Sequence, residues 1–241
     1  MTGPAEPAPP TPQGGPPDAV GPETLTFEQI QSDPELSTFI SAADRVMEGM
    51  GFTEHGFRHA NLSARIAYNV LLRSGFDEHV ANLGCAAGYL HDVGNMFTRD
   101  AHGQTGGILV YHALRDRMPA ADLATIVSAI ANHEEDEGYA VSEVSAAVIL
   151  ADKSDVHRSR VRKSGRPDFD IHDRVNFAAE QSFLRVDSTA KTITLELTID
   201  PQISQVMEYF EIFLGRMQLC RKAADALGCR FKLVINDAEL A

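Results

Sequence analysis

The chain has 241 residues, 44% of them hydrophobic, and a formal net charge of −13. This length can bury one good core and leaves room for a small second module. The acidic balance argues against nucleic-acid binding, because affinity for a phosphate backbone depends on contacts from Lys and Arg.

The first 22 residues contain eight of the twelve prolines and few apolar side chains, which predicts a disordered tail over residues 1–25. No uninterrupted apolar segment approaches the roughly 20 residues that a membrane-spanning helix needs. The start of the sequence also lacks the basic segment and apolar run of a secretion signal. We therefore expect a cytoplasmic protein that is not inserted in a membrane.

From residue 27 to about residue 156, apolar residues recur at intervals of three and four, which predicts helices. Gly, Asp and Pro separate the segments, as they do at helix ends. The predicted helices cover residues 36–49, 58–74, 77–91, 104–117, 120–132 and 142–156. They predict a helical domain over residues 26–175.

After residue 180 apolar and polar residues alternate on either side of a Ser-Thr-Ala-Lys turn, which is typical of a hairpin. Pro201 opens a long amphipathic helix that ends at Gly228, and the segment RFKLVIND predicts a last strand. We therefore predict a small ββαβ module over residues 176–241, which also offers a surface for a homodimer. The three cysteines lack a CxxC spacing, and we expect reduced, at least partly buried thiols.

Polar residues stand at the ends of the apolar faces of the predicted helices. Six of them lie in helical phase with these faces or directly follow one: His59, His91, Asp92, His102, His133 and Asp152. Buried imidazoles and carboxylates are costly unless they are paired, hydrogen-bonded or bound to a metal. A single residue of this kind is more often an ordinary helix end, but six in order predict a metal site.

The nitrogen and oxygen atoms of this set suit divalent transition metals such as Mn, Fe, Ni, Co or Zn. Six protein ligands are too many for one catalytic ion with open positions, and they suit two ions that share a carboxylate. Asp92 is the natural bridge. The sequence thus predicts two divalent metal ions as cofactors.

The order His59, then His91-Asp92, then Asp152 resembles that of the HD superfamily of metal-dependent phosphohydrolases. His102 in HGQTGG and His133 in NHEED match the two further histidines of its dinuclear branch. The resemblance covers about residues 36 to 157. It implies a mainly α fold, an HD-type helical bundle, to which the small C-terminal α+β (ββαβ) module is an appendage. Many members have a lysine where this chain has Asn95, so one phosphate contact of the family is not implied here.

The expected reaction is hydrolysis of a small phosphate ester, a nucleotide-like monoester or diester, by a metal-bridged hydroxide. Two ions about 3.5 to 4 Å apart lower the pKa of a bridging water and clamp the attacking and leaving oxygens. Asp92, Asp155 and Glu54 are the candidate catalytic residues, the last two as proton-transfer or supporting groups. The expected partner is a small phosphorylated substrate.

A dense basic cluster, HRSRVRKSGR, follows Asp152. Arginine matches phosphate oxygens with paired hydrogen bonds, so Arg158, Arg162 and Lys163 are candidate contacts to the substrate phosphate. A solvated loop that pairs with nearby aspartates explains the cluster at least as well.

Two alternatives stay open on sequence alone. An HD-fold di-iron oxygenase uses the same ligand order, and spacing cannot separate it from a hydrolase because iron and manganese accept the same ligands. The other alternative is a non-catalytic regulatory protein that binds a nucleotide and uses the metal for stability.

Overall fold

A computed structural model of the chain describes residues 22–135, 138–162 and 170–240. Residues 1–21 of the predicted tail and Lys163 lie outside the described residues. The described residues form nine α-helices and one small four-stranded sheet. The prediction of a mainly α fold with a small C-terminal α+β appendage is confirmed.

Eight helices precede the sheet. They are α1 (Phe27–Gln31), α2 (Pro34–Gly49), α3 (Phe57–Ser74), α4 (Glu78–Leu90), α5 (His102–Leu114), α6 (Ala120–Ala131), α7 (Glu143–Lys153) and α8 (Ile171–Ala178). Short 3-10 helices cover Val93–Met96 and Arg158–Arg160. All six predicted helices are present with ends shifted by at most three residues, whereas α1 and α8 were not predicted.

Local signals fix where these helices begin and end. The side chain of Asp33 accepts hydrogen bonds from the first turn of α2, and Pro34 occupies its first position. Asp77 and Ser142 cap α4 and α7 in the same way. Gly75 ends α3 in the left-handed region at φ 97°. These boundaries place the polar residues of the predicted site at helix ends.

Helix α7 lies at the centre of the helical region. Its residues from Val144 to Lys153 are all buried, as expected of a helix surrounded by protein. Helix α4 packs closely on α3, since a Cβ at Gly88 would lie 2.9 Å from the carbonyl oxygen of Ser63. This close approach brings the start of α3 near the end of α4.

The sheet has the order β1-β2-β3-β4, with β1 (Ala179–Asp187), β2 (Thr192–Ile199), β3 (Arg230–Ile235) and β4 (Ala238–Glu239). Strands β1 and β2 form the predicted antiparallel hairpin. Helix α9 (Val206–Ala226) connects β2 to β3, which pair in parallel, as a crossover helix permits. The ββαβ prediction is confirmed, and the two-residue strand β4 is an addition to it.

Helix α9 packs against α7, and buried side chains of the helical region and the C-terminal module form one continuous hydrophobic cluster. Within α9, Tyr209, Phe213 and Met217 are buried, whereas Met207 and Leu214 are 67% and 52% exposed. The apolar stripe of this helix is therefore mostly core. The homodimer stays a prediction.

Two further expectations concern cysteines and membranes. All three cysteines are buried and free of disulfides, as predicted. Among the described residues, every helix is too short or too polar to cross a lipid bilayer.

Candidate metal centre

The structure brings the six predicted ligand residues together at one buried centre. His59 lies in the first turn of α3, His91 and Asp92 follow α4, and His102 begins α5, while His133 follows α6 and Asp152 lies in the last turn of α7. All six are buried. Five segments of the helical region therefore contribute one or two polar side chains each to the same place.

The carboxylate of Asp92 lies between two pairs of histidines. Its Oδ2 atom is 3.4 Å from Nε2 of His59 and 3.3 Å from Nε2 of His91. Its Oδ1 atom is 3.4 Å from Nε2 of His102 and 3.9 Å from Nε2 of His133. Each oxygen thus faces a different pair of ring nitrogens, which is the arrangement expected of a bridging carboxylate.

Asp152 belongs to the first pair. Its Oδ1 atom lies 3.3 Å from Nε2 of His59 and 3.7 Å from Nε2 of His91. Two overlapping groups of residues have potential ligand atoms within 4.8 Å of one another: His59, His91 and Asp152, and His91, Asp92 and His133. The buried cluster could therefore hold metal ions.

The second ring nitrogen of each histidine is held by a hydrogen bond. Nδ1 lies within 2.6 to 2.9 Å of an acceptor: a carboxylate oxygen of Asp155 for His59, and the carbonyl oxygens of Gly88 for His91, Arg99 for His102 and Ile130 for His133. Since these oxygens only accept, Nδ1 carries the proton. In a neutral ring, Nε2 then directs its lone pair into the centre, as metal-binding histidines do.

Distances between the Nε2 atoms fit bound cations. These atoms are 3.1 Å apart in His59 and His91 and 3.0 Å apart in His102 and His133. Two nitrogens bonded to one ion at about 2.1 Å, at a right angle, are roughly 3.0 Å apart. In addition, Oδ2 of Asp92 is buried with no hydrogen-bond partner among the described residues, which costs about 1–3 kcal/mol unless a cation satisfies it.

Ionisation of the centre supports this reading. Burial lowers the pKa of both His59 and His91, but the surrounding aspartates outweigh it and raise the pKa of His59 to about 9 and that of His91 to about 10. Burial would raise the pKa of Asp92 and Asp152, but the His91 ring and the Lys153 ammonium, respectively, hold it well below the usual range. Without metal, protons therefore provide the positive charge that the carboxylates require.

Asp155 and Glu54 lie behind the centre. Oδ2 of Asp155 lies 2.6 Å from both Nδ1 of His59 and Nη2 of Arg58. Glu54 accepts hydrogen bonds from Nε of Arg58 at 2.9 Å and from the backbone N–H of Gly56 at 2.8 Å. The contacts of Asp155 orient a ligand, and those of Glu54 hold Arg58 at the start of α3.

Two of the three predicted phosphate contacts, Arg158 and Arg162, form ion pairs within the protein. Arg158 donates to Glu180 at 2.9 Å, and Arg162 pairs with Asp44 and donates to the carbonyl oxygen of Phe52 at 3.1 Å. Neither arginine lines the cavity beside the centre. Their ion pairs join this segment to β1 and α2, whereas the alternative left open by the sequence was a solvated loop that pairs with nearby aspartates.

Other polar residues at the centre were not selected from the sequence. Nζ of Lys153 lies 2.7 Å from Oδ2 of Asp152, and Nη1 of Arg99 lies 3.3 Å from Nε2 of His102. Asn95 donates to Oδ1 of Asp92 at 2.8 Å. Of these three residues, Lys153 alone could have been indicated by the sequence, because it directly follows the candidate ligand Asp152 in a predicted helix. The positions of Arg99 and Asn95 depend on how the connecting segments fold.

The centre adjoins a cavity of about 480 Å³. His102, Arg99 and Lys153 line it from the helical region, and Phe213 and Arg216 of α9 line it from the C-terminal module. This volume lies within the range of about 300–1,000 Å³ that is usual for small-molecule sites.

His55, which is not among the residues predicted from the sequence, also lines this cavity. Its ring lies edge-on to that of His59 with centroids 5.7 Å apart. Burial and the charge of Arg160 lower its pKa well below the ordinary value, so the ring is neutral. His55 is therefore available to a molecule in the cavity as a neutral hydrogen-bonding group.

The chain was compared with known protein families and with curated proteins. No family model matches the chain, and a search of curated proteins found no match.

Proposed function

We propose that the protein is a metal-dependent phosphohydrolase that uses two divalent transition-metal ions. The observation that carries the proposal is the position of Asp92, whose two carboxylate oxygens face two separate pairs of histidine nitrogens. One ion would be held by His59, His91, Asp92 and Asp152, and the other by Asp92, His102 and His133. The donor atoms suit Mn, Fe, Co, Ni or Zn.

Charges beside the centre favour an anionic substrate. Lys153 and Arg99 place an ammonium and a guanidinium group next to the ligands Asp152 and His102. Phosphoryl transfer needs positive groups that stabilise the charge on the phosphate oxygens, and arginine and lysine are the residues that bind such oxygens. A phosphate ester at the cavity end of the centre would contact both.

When bound, two divalent ions would supply an activated water and neutralise charge on the departing oxygen. The chain itself would orient the reactants. Asp155 fixes the His59 ring through Nδ1, and Asn95 fixes the Asp92 carboxylate. Nδ1 of His55 lies 2.7 Å from the carbonyl oxygen of Thr53 and carries the proton, so Nε2 of this neutral ring at the cavity would accept a hydrogen bond from a hydroxyl group or a water molecule.

The first test measures metal content and phosphate release on the purified full chain. Metal-free protein is reloaded separately with each of the five metals, and ions per chain are counted by plasma mass spectrometry. Hydrolysis of p-nitrophenyl phosphate and bis-p-nitrophenyl phosphate is then followed. We expect two ions per chain and release of nitrophenol with at least one metal.

Asp92→Ala and His102→Ala test the ligand set, and His112→Ala is the matched control. His112 is exposed and lies on α5, the helix that also carries His102. We expect loss of metal and of hydrolysis in the first two variants and wild-type values in the control. A folded, metal-loaded protein that hydrolyses neither ester would contradict the proposal. Bound iron with a mixed-valent spectrum and oxygen consumption would instead favour the di-iron oxygenase.

A further inference from the structure

Arg216 reaches the cavity from the C-terminal module and is held in a fixed orientation. Its guanidinium carbon lies 4.2 Å from the ring centroid of Phe213, and its Nε atom lies 2.5 Å from Oε1 of Glu135. The side chain is only 18% exposed. Neither Nη1 nor Nη2 has a hydrogen-bond partner within residues 22–135, 138–162 and 170–240. The guanidinium group of Arg216 is thus held by Phe213 at its face and by Glu135 at Nε. Its two terminal nitrogens can form hydrogen bonds with a molecule in the cavity.

Charged residues separate Arg216 from the metal centre. The Oε1 atom of Glu135 that binds Arg216 also lies 3.6 Å from Nζ of Lys153, and Nζ in turn lies 2.7 Å from Oδ2 of Asp152. A phosphate at the centre therefore meets Lys153 first. The free nitrogens of Arg216 serve a part of the cavity farther from the ions.

The terminal nitrogens of Arg216 offer a binding site for an anion. The Glu135 carboxylate contacts Nε of Arg216 and lies near Lys153, and Lys153 also pairs with Asp152. Within the described residues, no carboxylate forms a hydrogen bond with Nη1 or Nη2 of Arg216. Two other carboxylates of the lining bind backbone N–H groups, since Glu134 accepts from Gly103 and Asp170 caps the start of α8. Asp100 and Asp173 also line the cavity. A guanidinium group with two free nitrogens matches the paired oxygens of a phosphate or a carboxylate.

We propose that Arg216 binds a second anionic group of the substrate. The substrate is then a phosphate ester whose alcohol portion carries another phosphate or a carboxylate, with the reacting phosphate at the metal centre. This inference rests on the proposed function. It assigns to the C-terminal module a direct part in substrate selection.

The kinetic test compares three esters that share a three-carbon alcohol: propyl phosphate, 3-phosphonooxypropanoate and propane-1,3-diol bisphosphate. We expect kcat/KM of the metal-loaded wild type to be about tenfold or more higher for one or both compounds that carry a second anionic group, as hydrogen bonds between charged groups allow. Whichever compound is preferred identifies the second group as carboxylate or phosphate. Arg216→Gln should bring the three values together, whereas Arg221→Gln, an exposed arginine on the same helix, should keep the preference.

A structural role of Arg216 would change all three esters alike, because the loss of an ion pair at Glu135 does not depend on the second anion. An equal loss on all three, or the absence of a preference in the wild type, would overturn the inference. If no ester is hydrolysed, titration calorimetry with propane-1,3-bisphosphonate and propylphosphonate decides it. Tighter binding of the bisphosphonate, lost in Arg216→Gln, would support the inference while the proposed function fails, and equal binding would overturn it.

Discussion

Replacement of Gly94 by alanine tests how His102 reaches the centre. A Cβ at residue 94 would overlap with the carbonyl oxygen of His102 and would lie 2.5 Å from the backbone nitrogen of Gly106. Non-bonded carbon atoms are comfortable at about 3.5–4.0 Å, so α5 must move away by roughly 1 Å. Because His102 is the first residue of α5, this movement would carry its Nε2 atom away from His133 and Asp92.

The size of the effect follows from the overlap. Forced overpacking of this kind costs about 1–3 kcal/mol, and each kcal/mol lowers Tm by about 2–4 °C in a domain of this size. We expect Gly94→Ala to melt about 2–12 °C below the wild type and to retain one ion per chain in place of two. Differential scanning calorimetry on metal-free protein and plasma mass spectrometry on reloaded protein measure the two quantities.

Gly49→Ala is the matched control, since a Cβ there meets nothing within 4 Å and Gly49 lies at the end of a helix. Its Tm should not fall. Wild-type Tm and metal content in Gly94→Ala would refute the view that close packing of backbone at Gly94 positions His102.

Further predictions concern protons, ligand orientation and the Asp92 carboxylate. Because the folded pKa values of His59 and His91, about 9 and 10, exceed their ordinary value of 6.5, their stabilisation of the metal-free protein is complete below about pH 6.5 and is lost as pH rises through 9 to 10. The Tm of the metal-free protein should fall over this range, and metal uptake at pH 7.5 should release about two protons in weakly buffered solution. Asp155→Asn should weaken metal affinity by about 10- to 100-fold, measured by competition with a chelator, because the orienting carboxylate of His59 is lost. Asn95→Ala, which removes the hydrogen bond to Oδ1 of Asp92, should lower metal affinity less, by about tenfold.

Several results would contradict these expectations. A Tm of metal-free protein that rises between pH 7 and 10 would show that protons do not occupy the centre. Unchanged metal affinity in Asp155→Asn would show that the contact to His59 has no orienting effect. A greater loss of metal affinity in Asn95→Ala than in Asp155→Asn would reverse the order of importance given to the two contacts.

The helices and the clustering of the six candidate ligands could be predicted from the sequence because both follow from periodicity. His91 lies where the apolar face of α4 ends, and Asp152 continues the buried face of α7, so helical phase alone pointed them inward. The hairpin was accessible for the same reason, with a period of two. Helix α8 was missed because its eight residues are too few to show a clear period.

Arg99, His55 and Arg216, which also line the cavity, could not be predicted in this way. Arg99 and His55 lie in connecting segments, where no period relates a side chain to the core. Arg216 lies on a helix whose packing partner, α7, is distant in sequence. For Arg158 and Arg162, the local density of positive charge in the sequence suggested a phosphate site. In the structure these arginines form ion pairs with Glu180 and Asp44, which are distant in sequence.

The packing of α9 against α7 has a consequence for the order in which the protein is made. All six residues of the metal centre lie before residue 153, whereas α9 and β3 come later in the chain. During synthesis, the amino-terminal part emerges first and folds as far as its contacts permit. The six candidate ligands therefore leave the ribosome before α9, the helix that covers one side of α7. The cavity is complete only after α9 has packed against α7.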